Sequence, residues 1–136
     1  MRKSFDGGEH MATARTKVYR EKLARSVAGI APVPLVTHVA VGTGGVNQDG
    51  SPKPLTGEEK GLFNEVLRKA VTPSLYNKTT VRCSVSVLAD ADGVVGMGIN
   101  EIGIFDSDGD LVAIKTTTSK NLEATDQLEF DIDAIF

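Results

Sequence analysis

The sequence is poor in the residues from which small proteins build covalent cross-links and aromatic sites. It contains one cysteine and no tryptophan, and aromatic residues make up 5% of its 136 positions. A single cysteine excludes an intramolecular disulfide, so we do not expect a disulfide-stabilised secreted scaffold and favour synthesis in the cytoplasm. The scarcity of aromatic residues argues against broad stacking platforms for single-stranded nucleic acid.

Long apolar runs are also missing from the sequence. No stretch approaches the ~20 apolar residues that a membrane-spanning helix needs, and the N-terminus has no apolar segment typical of a signal peptide. We therefore expect no membrane partner. Hydrophobic residues make up 40% and charged residues 24% of the chain, as in an ordinary globular domain.

Charge is distributed unevenly along the chain, although the net charge is only −3. The balance is +4 over residues 1–25, zero over residues 26–99 and −7 over residues 100–136. Either the basic and acidic ends form complementary surfaces, for example between neighbouring copies, or one helix and one sheet each have a charged solvated face. The pI of about 5.3 argues against a nucleic-acid partner, which requires a strongly basic surface.

Periodicity predicts an α+β fold with a mainly antiparallel sheet of about five strands and two helices, at about 12–29 and 56–71. Alternating segments predict strands in "THVAV", "TTVRCSVSVLA" and "DQLEFDIDAIF", and residues 99–105 and 111–118 are predicted to form a hairpin around "DSDGD". We interpret residues 1–11, which are polar and glycine-containing, as a disordered leader or cloning remnant. Residues 12–136 are then a single domain.

The first predicted helix carries an apolar stripe and ends at a glycine. Tyr19, Leu23, Val27 and Ile30 recur at i, i+4, i+8 and i+11, as on one face of a helix, and Gly29 and Pro32 are stop signals for it. This face either packs on the chain's own sheet or docks onto a partner or a second copy. We therefore predict Tyr19, Leu23 and Val27 as candidate interface residues.

The second predicted helix is in "LTGEEKGLFNEVLRKAVTP". Thr56 and Glu59 have the spacing of a capping box. The apolar residues after them fit a helical stripe, and Pro73 ends the segment.

A glycine-rich turn follows the first strand in "THVAVGTGG". It is not a phosphate-binding loop, because no Gly-Lys-Ser/Thr sequence follows and no helix begins directly after it. We include Gly42, Gly44 and Gly45 among the candidate contacts to neighbouring molecules.

Catalytic patterns are absent from the sequence. There is no HExxH motif and no Cys/His cluster, and a nucleophile–base–orienter set cannot be assembled from the two histidines of the chain. Cys83 lies on the apolar face of an alternating strand, where it is expected to be a buried small hydrophobe. We expect no enzymatic activity and no cofactor.

The acidic turn "DSDGD" separates the two strands of the predicted hairpin. Asp106, Asp108 and Asp110 have the spacing of the first three EF-hand ligands. Leu111 and Thr117, however, occupy the positions where that loop requires glycine and glutamate. Asp and Gly are also ordinary residues of tight turns. We therefore interpret the segment as a hairpin tip and assign no metal ligand, with a weak Ca²⁺ site as the alternative.

Several of these segments together resemble the N-terminal domain of phage tail-collar fibre proteins. In that family a strand with an Ala-Val-Gly-Asp-Gly type of turn precedes a Leu-x-Asn-Glu-x-x-Arg pattern, and a Glu-Ile-Gly-Ile-Phe-Asp-x-Asp-Gly-Asp-Leu type of hairpin comes later. The resemblance covers about residues 15–136, and Thr43 stands where the family usually has Asp. The residues that match the motifs are Asn64, Glu65, Arg68, Glu101, Gly103, Phe105, Asp106, Asp108 and Gly109.

The resemblance implies a structural role in the tail of a phage or a phage-like particle, such as a prophage product or a tailocin. The chain would attach a fibre to the baseplate, as a homotrimer in contact with other tail proteins, after synthesis in the cytoplasm of the bacterial host. It would be either a truncated fibre or a short baseplate or collar protein. The alternatives are a tail assembly factor and a stand-alone protein-binding module with a weak Ca²⁺ site at the hairpin.

Overall fold

The computed structural model describes residues 2–5 and 11–135 of the chain. Over these residues it contains nine strands in two sheets and one helix. In chain order the elements are β1 (Arg2–Phe5), β2 (Met11–Arg15), α1 (Lys17–Val27), β3 (Val36–Gly42), β4 (Glu65–Ala70), β5 (Ser74–Asn77), β6 (Thr80–Leu88), β7 (Gly98–Asp106), β8 (Leu111–Asn121) and β9 (Gln127–Ile135).

The pairing of the strands is antiparallel with one exception. The five-stranded sheet has the order β2-β8-β7-β3-β4, and the four-stranded sheet has the order β1-β9-β6-β5. Among the described strands, only β1 and β9 pair in parallel. The five strands that periodicity predicts correspond to β3, β6, β7, β8 and β9, so the prediction of a mainly antiparallel fold is confirmed. It is wrong in placing the strands in one sheet and in expecting two helices, so over the described residues the fold is mainly β with one helix rather than α+β.

Helix α1 is held at both ends by hydrogen bonds. Thr16, the N-cap residue, accepts a hydrogen bond from the backbone N–H of Tyr19 at 3.2 Å, which satisfies one otherwise unpaired donor of the first turn. At the other end the N–H groups of Gly29 and Ile30 donate to Ser26 and Arg25 at 3.0 and 2.9 Å. This is a Schellman arrangement, and Gly29 takes the positive φ of 74° that it requires.

Two boundaries near the N-terminus differ from the sequence predictions. Helix α1 begins at Lys17, whereas residues 11–15 form β2 and pair with β8. Arg2–Phe5 form β1, in the region predicted to be a disordered leader. Residues 1 and 6–10 of that predicted leader lie outside the described residues. Backbone pairing with existing strands overrides local propensity in both places.

The prediction of a helix at 56–71 is wrong. Glu65–Ala70 form strand β4, which pairs with β3, and the residues before it have no regular structure. Thr56 and Glu59 do interact as a capping box would, with the Thr56 N–H donating to Glu59 at 3.0 Å. They close an isolated turn instead, in which Gly57 has a φ of 89°. Two glycines at 57 and 61 weaken a helix, whereas pairing with β3 satisfies the backbone of the second half.

The two sheets and the helix share one large hydrophobic core. It combines residues of the five-stranded sheet, such as Ile102 and Ile104, with Cys83 and Leu128 of the four-stranded sheet and Tyr19 of α1. A smaller cluster of Ala40, Phe105, Leu111 and Ile114 includes the partly buried side chains of Leu55 and Leu62. The segment before β4 therefore packs on the five-stranded sheet without being helical.

Candidate functional site

The glycine turn lies against β7 and the segment before β4. A Cβ atom at Gly44 would be 2.7 Å from the Cβ of Phe63, and one at Gly45 would be 2.5 Å from the carbonyl oxygen of Asn100. At Gly42 an added Cβ would overlap the Asn64 carbonyl oxygen and the carboxylate of Glu101. The glycines are therefore required for close approach within the chain, and Gly42 and Gly45 are buried there.

Glu101 joins these segments through a fully buried carboxylate, which is 0% exposed. Its Oε2 accepts hydrogen bonds from the N–H groups of Gly44 and Asn64, both at 2.8 Å, and its Oε1 accepts one from Phe63 at 2.7 Å. Hydrogen bonds to a charged acceptor are the stronger kind. One side chain of β7 thus fixes both the glycine turn and the entry to β4.

Several residues of the two sequence motifs lie around Glu101, whereas Asp106, Asp108 and Gly109 lie at the hairpin tip. The side-chain amide of Asn64 donates to the hydroxyl of Thr43 at 2.7 Å. Arg68 forms an ion pair with Glu65 at 2.8 Å and places its guanidinium 3.8 Å from the centre of the Phe105 ring. Segments almost 40 residues apart in the sequence thus form one cluster. Thr43, which stands where the family usually has Asp, supplies a hydrogen-bond acceptor in this cluster.

Gly103 belongs to the same cluster because it leaves room for apolar side chains. A Cβ atom there would be 2.7 Å from a methyl group of Leu111 and 2.9 Å from one of Leu62. The smaller core cluster packs directly over this position. Gly103 therefore lets the segment before β4 lie close to the sheet.

The acidic hairpin tip is bound to helix α1 by a lysine. Lys22 Nζ lies 2.7 Å from Asp106, 3.1 Å from Asp108 and 2.8 Å from Asp110. Burial by itself would lower the pKa of Lys22, but the hydrogen bonds to the three aspartates outweigh it and hold the pKa above its usual value. Lys22 is therefore firmly protonated and contributes a positive charge at the centre of the three carboxylates.

Asp106 also organises the tip internally. Its Oδ1 accepts hydrogen bonds from the N–H groups of Asp108 and Asp110, at 3.0 and 3.1 Å. Gly109 provides the positive φ of 85° that the tip requires. These contacts support the hairpin-tip interpretation.

The same three aspartates are the one group of carboxylates that can share a metal ion among the described residues, since their oxygens lie within 4.8 Å of one another. The ammonium group of Lys22, however, contacts all three. A divalent ion would have to displace it, at the cost of separating a buried charge from its partner. The geometry therefore disfavours the alternative of a Ca²⁺ site.

The three predicted interface residues of α1 have different environments. Tyr19 is 6% exposed and belongs to the large core. Leu23 is partly buried and packs against that core. Val27 is 90% exposed. The helix thus packs on the sheets of its own chain over most of the predicted stripe. Of the three stripe residues, only Val27 is exposed to a possible partner.

A largely exposed apolar segment, in which Val33 packs against the large core, continues from Val27 and was missed by the sequence reasoning. Residues 27–35, "VAGIAPVPL", contain no charged or hydrogen-bonding side chain. Ile30 is 72% exposed and Leu35 is 76% exposed. The signal was present in the sequence as a run of uncharged residues after the helix stop, but it does not indicate by itself whether such a run is buried.

Cys83 is fully buried, as predicted. Burial, together with the nearby charge of Asp133, raises the pKa of the Cys83 thiol to about 11. A neutral buried thiol has the properties of a small hydrophobe rather than of a nucleophile.

Comparison with known families gives a match over most of the chain. The family model described as "Phage tail-collar fibre protein, N-terminal" matches residues 8–130. The chain belongs to this family, whose members are structural proteins rather than enzymes, and its place is in the tail of a phage particle. Searches among curated proteins and among solved structures gave no match. Over the described residues, no helix combines the length and the apolar character needed to cross a membrane.

Proposed function

We propose that the chain attaches a fibre to the baseplate of a phage tail or a phage-like particle, as a homotrimer in contact with baseplate or tail proteins. The observation that carries this proposal is the family match over residues 8–130. A tailocin or prophage particle and a phage virion are both compatible with this role.

Purified particles provide the test of this proposal. Tail particles from the source lysate are separated on a gradient, and the chain is quantified by mass spectrometry against the tail-tube protein. We expect a fixed number of copies per particle, in a multiple of three. Absence from the particles, with the chain free in the soluble fraction, would contradict attachment and indicate a tail assembly factor.

Calorimetry separates the proposal from the Ca²⁺-dependent binding module. Because Lys22 contacts all three aspartates of the hairpin tip, we expect no heat of binding when Ca²⁺ is added up to millimolar concentration. A saturable heat with one ion per chain would show that the ion displaces the lysine, and would favour the alternative of a protein-binding module with a Ca²⁺ site at the hairpin.

A further inference from the structure

The outer edge of β6 is only partly covered by its neighbouring strand. Strand β6 has nine residues, whereas β5 has four and pairs with Thr80, Val81 and Arg82. Residues 83–88 therefore extend beyond β5 as an edge of the four-stranded sheet. An uncovered edge presents a row of backbone N–H and C=O groups on which another strand can add.

The hydrogen bonds at the end of β6 show which of its residues face outward. The N–H of Ala89 donates to the carbonyl of Asp126 at 3.0 Å, on the side of β9. Because backbone groups alternate between the two sides of a strand, odd-numbered residues of β6 bond toward β9 and even-numbered residues point to the outer edge. The edge beyond β5 thus presents the backbone of Ser84, Ser86 and Leu88.

Two charged side chains already occupy part of this edge, and we call Lys69 and Asp92 the edge lock. Lys69 Nζ donates to the carbonyl of Ser86 at 2.9 Å, where an added strand would place an N–H group. Asp92 Oδ2 accepts from the N–H of Leu88 at 2.8 Å, where an added strand would place a carbonyl. The N–H of Asp92 donates to the Leu88 carbonyl at 2.8 Å. An ion pair of 2.8 Å joins the two side chains of the lock.

The segment at this edge has a composition that favours pairing with a copy of itself. Residues 83–89, "CSVSVLA", contain no proline and no charged side chain. Segments of six or seven residues with high β-propensity and low charge stack as strands when their edge is accessible. Natural proteins protect such edges with charged residues, especially lysine. The strand that this edge has to exclude is therefore β6 of a second copy.

We propose that the edge lock prevents edge-to-edge association, because Lys69 and Asp92 fill the hydrogen-bonding positions through which the β6 edges of two copies would pair. The side chains of the lock are 33% and 15% exposed, so an incoming strand would have to separate a partly buried ion pair, which is unfavourable. Of the outward residues, only Ser84 is left without a contact to the lock, and one residue is too short for a stable strand pairing. The inference is independent of the attachment role, since it concerns a contact that the chain avoids.

Removal of the lock tests the proposal. The unlocked variant carries Lys69→Ala and Asp92→Ala and is incubated beside wild type at equal concentration. In light scattering after size exclusion, we expect the wild-type mass to stay constant and the unlocked variant to shift into large aggregates that bind thioflavin T. Circular dichroism at the start of the incubation verifies that the variant is folded. Lys69→Met alone keeps the aliphatic stem and Asp92, and it should show the same shift more slowly if the double variant does not fold.

A further substitution locates the association on β6. Ser84 is exposed, and Ser84→Lys in the unlocked chain returns a lysine to the edge, where it opposes strand addition. We expect this variant to keep the wild-type mass. Lys22→Met is the matched control for lost stability, because it removes a lysine and its ion pair with Asp106 in the five-stranded sheet. This control should not aggregate.

Three outcomes would overturn the inference. In one, the unlocked variant is folded and keeps the wild-type mass. In another, it aggregates but Ser84→Lys does not suppress the aggregation, so a surface other than β6 is responsible. In the third, Lys22→Met aggregates to the same extent, which would show that lost stability alone is sufficient. The particle assay tests the proposed attachment role separately, and none of these outcomes would contradict that role.

Discussion

Glu101 is satisfied by three backbone N–H groups that belong to two different segments. All three donors point at the carboxylate, at 2.7–2.8 Å. A side chain at this position therefore needs acceptor atoms on both branches. This requirement explains why the chain has a carboxylate, and not an amide, at a position that is 0% exposed.

We expect Glu101→Gln to destabilise the protein by about 2–4 kcal/mol, because the amide NH₂ group would face backbone donors and leave them unpaired. The measurement is the midpoint of urea unfolding for wild type and variant. Glu58→Gln is the control, since Glu58 is exposed and should change stability by less than about 0.5 kcal/mol. Equal midpoints for the Glu101 variant and wild type would show that the three hydrogen bonds contribute little.

Lys22 fixes the hairpin tip as Glu101 fixes the glycine turn, but it does so by neutralising carboxylates. The side chain of Asp106 is 1% exposed, and those of Asp108 and Asp110 are 58% and 50% exposed. Only the contact to Asp106 is therefore shielded from water, and the other two are weakened by solvent screening. Most of the stabilisation from Lys22 should come from its pair with Asp106.

Replacing Lys22 by Met keeps the aliphatic stem and removes the charge. We expect a loss of about 2–4 kcal/mol in the free energy of unfolding, because Asp106 would remain buried without its cation. Lys17→Met, at an exposed position of the same helix, is the control and should be nearly neutral. If both variants unfold at the same denaturant concentration, the lysine does not anchor the helix to the hairpin.

At the scale of elements, the glycine turn and the entry to β4 form one unit around Glu101. Sequence reasoning identified both segments as motifs and predicted the strand before the glycine turn. It did not predict that they touch, because their contact depends on a side chain of β7 that lies almost 40 residues further along the chain. It also assigned the glycines to an external contact, whereas Gly42 and Gly45 are buried inside the chain.

Substitution of single glycines tests this unit. We expect Gly45→Ala to destabilise the protein by about 1–3 kcal/mol, because the added Cβ would be 2.5 Å from a backbone oxygen that cannot rotate away. Gly61→Ala is the matched control, since nothing lies within 4 Å of its Cβ position, and it should be neutral or slightly stabilising. The measurement is the midpoint of thermal unfolding of the two variants. Equal shifts of this midpoint in both variants would contradict a tightly packed glycine turn.

The limits of sequence reasoning are clearest at residues 56–71. Strands β6 and β9 alternate in sequence, and strands β7 and β8 flank a turn of Asp and Gly residues, so sequence reasoning predicts these strands and β3 correctly. Strand β4 has Val66 and Leu67 next to each other, both partly buried, so its pattern fits a helical stripe as well as a strand. Tertiary pairing with β3 decides between the two. The exposed segment 27–35 was missed for a related reason, because an uncharged run can be core or contact surface.

At the scale of the whole molecule, an ion pair joins the two sheets. Lys69 of β4, in the five-stranded sheet, contacts Asp92, which follows β6 of the four-stranded sheet, at 2.8 Å. Lys69 also donates to the carbonyl of Ser86 in β6 at 2.9 Å. Asp92 accepts a further hydrogen bond from the N–H of Leu88 at 2.8 Å. Together these polar contacts complement the shared hydrophobic core.

The ion pair between Lys69 and Asp92 predicts how the free energy of unfolding depends on pH. Burial by itself would raise the pKa of Asp92, but the hydrogen bonds from Lys69 and Leu88 outweigh it and lower the pKa below the ordinary value of 3.8. A carboxyl group with a lowered pKa in the folded state stabilises the protein above its unfolded pKa, and this stabilisation is lost as the pH falls through the folded value. The loss should therefore begin below about pH 4.

Comparison of wild type with Asp92→Asn isolates this contribution. At pH 7 we expect the variant to be less stable by about 1–3 kcal/mol, because the hydrogen bonds to a charged acceptor are weakened. As the pH falls below about 4, the wild-type carboxyl is protonated and the two stabilities should converge. Urea unfolding at a series of pH values measures the difference. A difference that stays constant down to pH 2 would show that the stabilising form of Asp92 is not the charged one, and that its ion pair with Lys69 does not hold the sheets together.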